Sequence, residues 1–537
     1  MMRKLLTCLL IFISVFVKAQ NPFWSTDIAP IFYSSCTNCH HQGGLAPFTL
    51  LDYETAYVQR FNISNAISSK TMPPWPPDPK YCRFADERIL SYSDIIKINA
   101  WVSNGAPSGD TLLAPTKPIY TNASALGTPD LSIRIPDFTV PANQVGDLYQ
   151  CFVINTSLLQ TEFITGIEVL PGNSSIVHHV LLYQDTTGQA AVLDANSPGP
   201  GYTSFGGIGI NGSPILVAGW VPGSRPSFLP ANMGIKLYSG ADLVLQIHYP
   251  AGSAGKLDST RINFKMSTGS LRTVSLAPIL NHGPALQNGP LFIPANSTKT
   301  FNSYFQLPNL ADITLLSVAP HAHLISKSWL SYAVTPTNDT IPFIQINDWD
   351  FHWQGSYAFR NLIKVPKQSK LYGVAMYDNT ANNPHNPSSP PQDVERGEAT
   401  TDEMMLIYFA YTVYQPGDEN IVVDSSTLVD ITIPDTVATS VDELPTNTIV
   451  STPQLYDPVP NPSNTETQFN YFLPEQSNTA QIKIFDLSGR LVDEIKATGN
   501  TGFNSVKYNT AKLAKGEYLY SLLVNNVSRT KSLVVVH

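Results

Sequence analysis

From Leu131 onward, hydrophobic and polar positions alternate in short runs such as LSIRIPDFTVP, YQCFVINT and DLVLQIHYP, each ended by Pro, Gly or Asn. A period of two puts alternate side chains on one face, and strands at this spacing build sandwiches or jelly rolls. Upstream, residues 22–106 look helical. Trp24 to Tyr33 leads into a cysteine motif, Leu51 to Ser69 is a second helical stretch, and Ser91-x-x-Asp94 caps a third that Gly105 stops. Residues 107–129, rich in Pro, Gly, Ser and Thr, and 433–452, rich in Thr and Pro, read as linkers. Alternation returns after Gln454 in IKIFDLSGRLVDEI and GEYLYSLLVNN. The long β region is cut by NHGPALQNGP, which places a boundary near 275–295. The expected division is a leader at 1–20, a helical domain at 21–106, a linker at 107–129, β domains at 130–280 and 281–432, a second linker at 433–452 and a last β domain at 453–537. The fold class is mainly β: two jelly-roll sandwiches, preceded by a small α-helical domain and followed by a small β-sandwich.

The leader reads as a signal peptide. Arg3 and Lys4 precede the apolar run Leu5 to Val17, and Lys18-Ala19-Gln20 offers a small-residue cleavage region. That run falls short of the roughly 20 residues that span a bilayer. Cys8 lies inside it, which argues against a lipoprotein. No later segment is apolar enough to span, so the expectation is an exported chain with no membrane span. Charged residues make up only 14% and the net charge is -9, which gives nucleic acid no basic surface to bind.

The run Cys36-Thr37-Asn38-Cys39-His40 is Cys-x-x-Cys-His. Two thiols at this spacing can bond to the two vinyl groups of a haem, and the adjacent histidine then reaches the iron. Half a zinc site would need a second Cys pair, and a disulfide would leave His40 unexplained. Met72, in the proline-stiffened TMPPWPPD, is the candidate sixth ligand; the alternative for it is a buried apolar Met. His41 reads as a neighbour only. The stretch looks like a c-type cytochrome domain with one covalent haem c. Cys82 and Cys151 either pair in an oxidising compartment or are two unrelated thiols.

Five of the 11 histidines fall in three apolar strand-like segments, IVHHVLLY, LVLQIHYP and SVAPHAHLIS. Imidazole suits copper, and a thioether adds a preference for Cu(I). His321 and His323 are two apart and share a strand face, so both rings can meet one ion. Met404 could complete that site and leave a position open; Met405 is the alternative if the register is offset by one. His178 and His179 are adjacent, so a flat strand would aim them at opposite faces, and a shared ion demands a twist or bulge. His248 supplies the third nitrogen. Each histidine taken singly has an ordinary reading as a hydrogen-bonded core or surface residue.

The segments HHVLLYQD, LQIHYP, HAHL and DEMMLIY occur in the order and at the spacings of the copper type II, ascorbate-dependent monooxygenases, which the region 130–432 resembles. The resemblance implies two jelly-roll domains with one copper each and a solvent-filled gap between them. It implies an electron-transfer copper on His178, His179 and His248, and an oxygen-binding copper on His321, His323 and Met404. Gln246 and Tyr408 match family positions near the sites. O2, a small-molecule or peptide-like substrate and a reductant such as ascorbate are the implied partners. Ala319 stands where the peptide-amidating members carry an arginine, so a glycine-extended peptide is a poor substrate expectation. Most of the family's disulfide cysteines are also missing. The fused haem domain suggests electrons from an external donor entering through haem.

The last block, with Tyr456-Asp-Pro-Val-Pro-Asn-Pro462 and Gly516-Glu-Tyr-Leu-Tyr520, resembles the C-terminal sorting domain of the type IX secretion pathway. That implies passage across the outer membrane of a Bacteroidetes-like bacterium by the type IX machinery. The leading expectation is a secreted copper monooxygenase that hydroxylates a C–H bond. The alternative is a non-catalytic haem/copper electron-transfer or copper-binding protein on the same fold.

Overall fold

The structure is a computed structural model. It describes residues 21–431 and 453–536, apart from 121–123, 213, 456–457, 459–462, 474–475, 487–489, 498, 501 and 526. The expected signal peptide and the whole of the second linker lie outside the described residues. As the alternation predicts, the fold is mainly β, with 40% strand and 12% helix. No described helix is long and apolar enough to cross a membrane.

Three helices form the N-terminal unit: α1 (Ala29–Ser35), α2 (Tyr53–Ser68) and α3 (Tyr92–Ser103). Ser91 caps α3 as its sequence predicts, its Oγ accepting the Asp94 N–H at 3.0 Å. Gly105 takes φ +84° just past its end, where a left-handed residue stops the helix. Trp24, Phe32, Ile98 and Trp101 form the core of this unit.

Residues 69–91 depart from the helical expectation. They run as an irregular strap over the second sandwich, bridging Pro77 to Ile346 and Phe84 to Phe359. Phe84 is fully buried in that sandwich's core. Five prolines and two aromatics in TMPPWPPDPKY deny this segment a helix and give it apolar surface to bury. The first linker also packs back on the helices: Trp24 and Ser25 donate to Pro107 and Ser108 carbonyls, and Tyr120 stacks on His41 at 3.9 Å.

The first sandwich is built on β1 (Leu148–Asn155), β2 (His179–Asp185) and β3 (Asp242–Tyr249). β3 lies between β1 and β2, and Tyr202–Thr203 and Ile215–Trp220 flank them. The opposing sheet includes Leu131–Arg134, Arg261–Ser267, Glu162–Leu170 and Met233–Leu237. β3 is buried along its whole length, which accounts for its nearly continuous apolar run.

The second sandwich contains β4 (Ser275–Asn281), β5 (Ile313–His321) and β6 (Leu406–Val413) in one sheet, with β6 central between β4 and β5. The chain changes sandwich between Thr273, paired to Gly234, and Ser275, paired to Tyr411. This is ahead of the break read from NHGPALQNGP, whose Gly and Pro make a loop inside the second sandwich. Arg272 clamps the crossing, donating to both Asp418 carboxylate oxygens at 2.8 and 2.6 Å. Met233, Val274, Leu316 and Leu362 bury the apolar contact between the sandwiches. Residues 454–535 form a separate small sandwich with its own core around Phe469, Tyr471 and Tyr520.

Candidate metal centres and the groups around them

The pairing of β3 sets Tyr149, His248 and His179 in one row across three strands. His178 lies one residue before β2, where the chain leaves a turn, and its N–H donates to the His248 carbonyl at 2.9 Å. This answers the geometric objection to an adjacent pair. His178 is outside the regular strand, so its ring is free to turn toward that of His179. Ligand atoms of His178, His179 and His248 all lie within 4.8 Å of one another. Both ring nitrogens of buried His248 lack a hydrogen-bond partner, and Asp147 Oδ1 lies 3.4 Å from Nε2. Burial, reinforced by the neighbouring histidines, pushes His178 down to about 3 and His179 well below its usual value. Both imidazoles are therefore neutral near pH 7 and hold lone pairs for a metal. An orphaned buried imidazole converging with two neutral ones fits copper.

His321 ends β5, and His323 follows two residues on. Their rings stand at 86° with centroids 5.4 Å apart. Each spends one nitrogen on the protein: His321 Nδ1 meets Gln354 Oε1 at 2.6 Å, and His323 Nδ1 meets the Asp402 carbonyl at 3.0 Å. Both acceptors fix the Nδ1–H tautomer and leave Nε2 free, the arrangement metal-binding histidines use. Burial pushes these rings down to about 3 and about 4. Met405 belongs to the second sandwich's core cluster, whereas Met404 is buried outside that cluster. The two neighbouring thioethers therefore sit in different surroundings.

Glu403 holds this corner together. Its fully buried carboxylate accepts the N–H groups of His323 and Ile325 at 2.9 Å each, and that of Met404 at 3.1 Å. Burial pushes its pKa up to about 8 despite these donors. Trp349 Nε1 donates to the His323 carbonyl, and Tyr377 Oη donates to the Met404 carbonyl.

The two clusters face each other across the sandwich boundary. Phe351 stacks on His178 with centroids 4.9 Å apart and meets His323 edge-on at 6.0 Å. Asp147 accepts from the Thr400 hydroxyl at 2.6 Å, and Tyr149 Oη donates to the Glu398 carbonyl at 2.9 Å. These bonds tie the first sandwich to the loop that leads into Met404. Tyr408 is half-buried on β6, opposite Ala319, and raises the pKa of Tyr183 across the boundary after the larger effect of burial. Gln246 is committed elsewhere: its Nε2 donates to the Ser204 and Gly207 carbonyls. It shapes the loop carrying Phe205, which packs on Tyr149.

At the Cys-x-x-Cys-His motif both thiols are free. Burial pushes Cys36 up to about 12. His40 Nδ1 meets the Phe48 carbonyl at 3.1 Å, leaving Nε2 available. Free paired thiols and a tautomer-fixed histidine beside an apolar core fit a covalent haem. Met72 is half-buried where the strap begins, and its N–H donates to the Ala66 carbonyl. Cys82 packs on the second sandwich and Cys151 is buried in the first. Both are free, so the disulfide read as one option is not formed.

The sequence pointed to the histidines but not to Gln354, Glu403, Tyr149 or Phe351. Only the acid beside the methionine pair in DEMMLIY, buried in an apolar strand context, offered a signal.

Comparison with known proteins accords with this geometry. Residues 131–254 match the family model of the copper type II ascorbate-dependent monooxygenase N-terminal domain. Residues 458–536 match that of the secretion system C-terminal sorting domain. No curated protein matches the chain. Among solved structures, a β-glucuronidase from Ruminococcus gnavus is 9% identical, covers 45% of this chain and 36% of its own, and has a TM-score of 0.11. The Bifidobacterium dentium β-glucuronidase is 10% identical, covers 44% and 39%, and scores 0.13. The chain thus spans just over a third of those structures, and superpositions this poor carry no argument. The sorting domain directs export by type IX secretion to the cell surface or beyond. Within this chain, residues 131–254 therefore carry a copper type II ascorbate-dependent monooxygenase N-terminal domain, and residues 458–536 a secretion system C-terminal sorting domain.

Proposed function

We propose that this protein is an exported copper monooxygenase that hydroxylates a C–H bond of an organic substrate, with electrons entering through a covalent haem on its own N-terminal unit. The observation that carries the reading is the pair of facing clusters. One has an orphaned buried imidazole. The other has two histidines whose Nδ1 atoms are both engaged by the protein.

His178, His179 and His248 would hold one copper, and His321, His323 and Met404 the other. Copper bound there supplies one stored electron per site and, at the three-ligand methionine site, an open position for O2. The chain's own groups do the rest. Gln354 and the Asp402 carbonyl orient the imidazoles. Glu403 fixes the backbone of His323 and Met404. Tyr149, Phe351 and the 398–402 loop keep bulk water from the boundary where the clusters meet. Tyr408 and Tyr183 line that boundary and are the proposed substrate contacts, whereas Gln246 acts through the 204–207 loop. No charged side chain stands at Ala319, so the substrate is a small or peptide-like molecule held without a carboxylate grip there. Cys36 and Cys39 would form the thioethers to haem, His40 the axial bond and Met72 the sixth ligand. An external donor, ascorbate among the options, would reduce this haem.

The proposed division follows the sequence reading, except that the strap 69–91 serves the second sandwich and the first sandwich ends near Thr273. The test is metal and haem analysis of purified protein, with O2 uptake and 18O incorporation over a substrate panel. Two coppers and one haem per chain, with substrate-dependent uptake, are expected. Copper without substrate-dependent uptake would leave a non-catalytic electron carrier.

A further inference from the structure

One short segment touches both histidine clusters and lies close to the loop that follows the Cys-x-x-Cys-His motif. The 3-10 turn Phe351–Trp353, with Gln354 and Tyr357 after it, lies where both sandwiches and the N-terminal unit converge. Phe351 is against His178 and His323. Gln354 is hydrogen-bonded to His321. Trp353 approaches Gly223 of the first sandwich. Gly223 takes φ +85°, and a Cβ there would lie 2.9 Å from Arg88 Nη1 and 3.9 Å from both Leu45 Cδ1 and Trp353 Cζ3. Leu45 belongs to the loop just after Cys39 and His40, so the loop and the turn approach Gly223 from two sides. A second route starts from the strap. Arg88 lies over the Trp75 ring at 5.7 Å, and Trp75 meets Tyr357 edge-on at 5.4 Å. The Tyr357 ring in turn covers Gly355, next to Gln354.

We propose that residues 351–357 are an electron relay from the Cys-x-x-Cys-His site to the two histidine clusters: Trp353 and Phe351 lead to His178 and His323, and Tyr357 and Gln354 to His321. The proposal rests on the haem and copper reading above and adds the protein groups that connect those centres. Tunnelling rates fall exponentially with the gap to be crossed, so contacts and hydrogen bonds that fill the gap decide where electrons go. Each passage moves one electron. The haem iron goes from ferrous to ferric, one copper goes from cupric to cuprous, and no bond or proton is exchanged. The aromatic content of DWDFHWQGSY, unusual for a surface turn, has this use here. Phe351 and Trp353 are only half-buried, so core packing does not by itself account for them.

The test uses the full haem- and copper-loaded chain without O2. A photoexcited ruthenium complex reduces the haem in a pulse, and the ferrous α-band is followed as it decays. In the wild type, decay depends on bound cupric copper and is independent of protein concentration. Trp353→Leu should slow it by an order of magnitude or more, with the haem spectrum, haem potential and copper content unchanged, and Phe351→Leu should slow it as much when rates are compared at equal copper occupancy. Trp353→Phe, which keeps a ring in place, should restore most of the rate. Phe305→Leu, at an exposed aromatic away from the turn, should leave the rate unchanged. Wild-type decay rates in both leucine variants would overturn the relay. Absence of any copper-dependent decay in the wild type would instead overturn the haem-to-copper reading beneath it.

Discussion

The ring of Tyr149 lies flat on that of His248, with centroids 4.3 Å apart and planes 3° from parallel, while its hydroxyl donates to Glu398 in the other sandwich. One side chain thus orients a candidate ligand of the first cluster and holds the loop that leads to Met404. Tyr149→Phe keeps the stacking and loses the bond, which should cost about 1 kcal/mol. Hydrogen exchange at residues 398–402 should then speed up while copper binding by His178, His179 and His248 persists. Tyr149→Leu should lose a further ~0.5–1.5 kcal/mol of ring pairing and weaken copper binding at His248 as well. Exchange mass spectrometry and copper titration separate the two effects.

Gln354 accepts from His321 across 33 positions of sequence. Gln354→Leu removes the acceptor that fixes the tautomer. Groups of this kind typically contribute about 10–100-fold to metal affinity. The loss should be confined to the His321–His323–Met404 site, and competition against a Cu(I) chelator should show one site weakened and the other unchanged.

Why one of these partners was readable and the other not is a matter of period. His321 and His323 declare themselves because a strand repeats every two residues, and the apolar run around His248 marks β3 as buried on both faces. The same logic left His178 and His179 in doubt. It assumes a regular strand through both, and the structure starts that strand at His179. Gln354 and Phe351 sit in a 3-10 turn with no periodic signal, and their partners are fixed only by how two sandwiches meet. The strap 69–91 lies between two helices in sequence, and its prolines mark a loop without saying which core its aromatics enter. Phe84 answers that by burying itself against Phe359 and Tyr357 of the second sandwich.

Glu403 should matter in the metal-free protein too. Its two carboxylate oxygens accept three backbone N–H groups. Above pH 8, where the carboxylate is ionised, Glu403→Gln would turn one acceptor into a donor facing those N–H groups. Leaving buried donors unpaired costs about 1–3 kcal/mol, so the apo variant should melt at a lower temperature. Equal melting temperatures would show that the corner rearranges without penalty.

The sandwich clamp gives a pH signature. Burial acts to raise the Asp418 carboxyl, but hydrogen bonds from Arg272 and Thr314 outweigh it and hold the group at about 2, against 3.8 for a free aspartate. A depressed folded-state pKa contributes stability that is full above the unfolded value and is lost as pH falls through the folded one. Stability should therefore decline between about pH 4 and pH 2 through this group. Asp418→Asn should be less stable at pH 7 and show a shallower acid decline, measured by denaturant unfolding at each pH.

The methionine pair gives the sharpest test of the oxygen-side site. Met405 is 1% exposed within the core cluster, whereas Met404 lies outside it, next to the carboxylate that also fixes His323. Leucine matches methionine in volume, so either substitution should cost less than about 1.5 kcal/mol in fold stability. The chemistry should divide them. Met404→Leu should remove sulfur scattering from the X-ray absorption spectrum of the Cu(I) protein, weaken Cu(I) binding and abolish substrate-dependent O2 uptake. Met405→Leu should keep all three. If sulfur scattering vanished only in Met405→Leu, the thioether role would move by one residue. The backbone N–H of Met405, which donates to His282 Nδ1 at 3.1 Å, would then be the place to look for the register shift that allowed it.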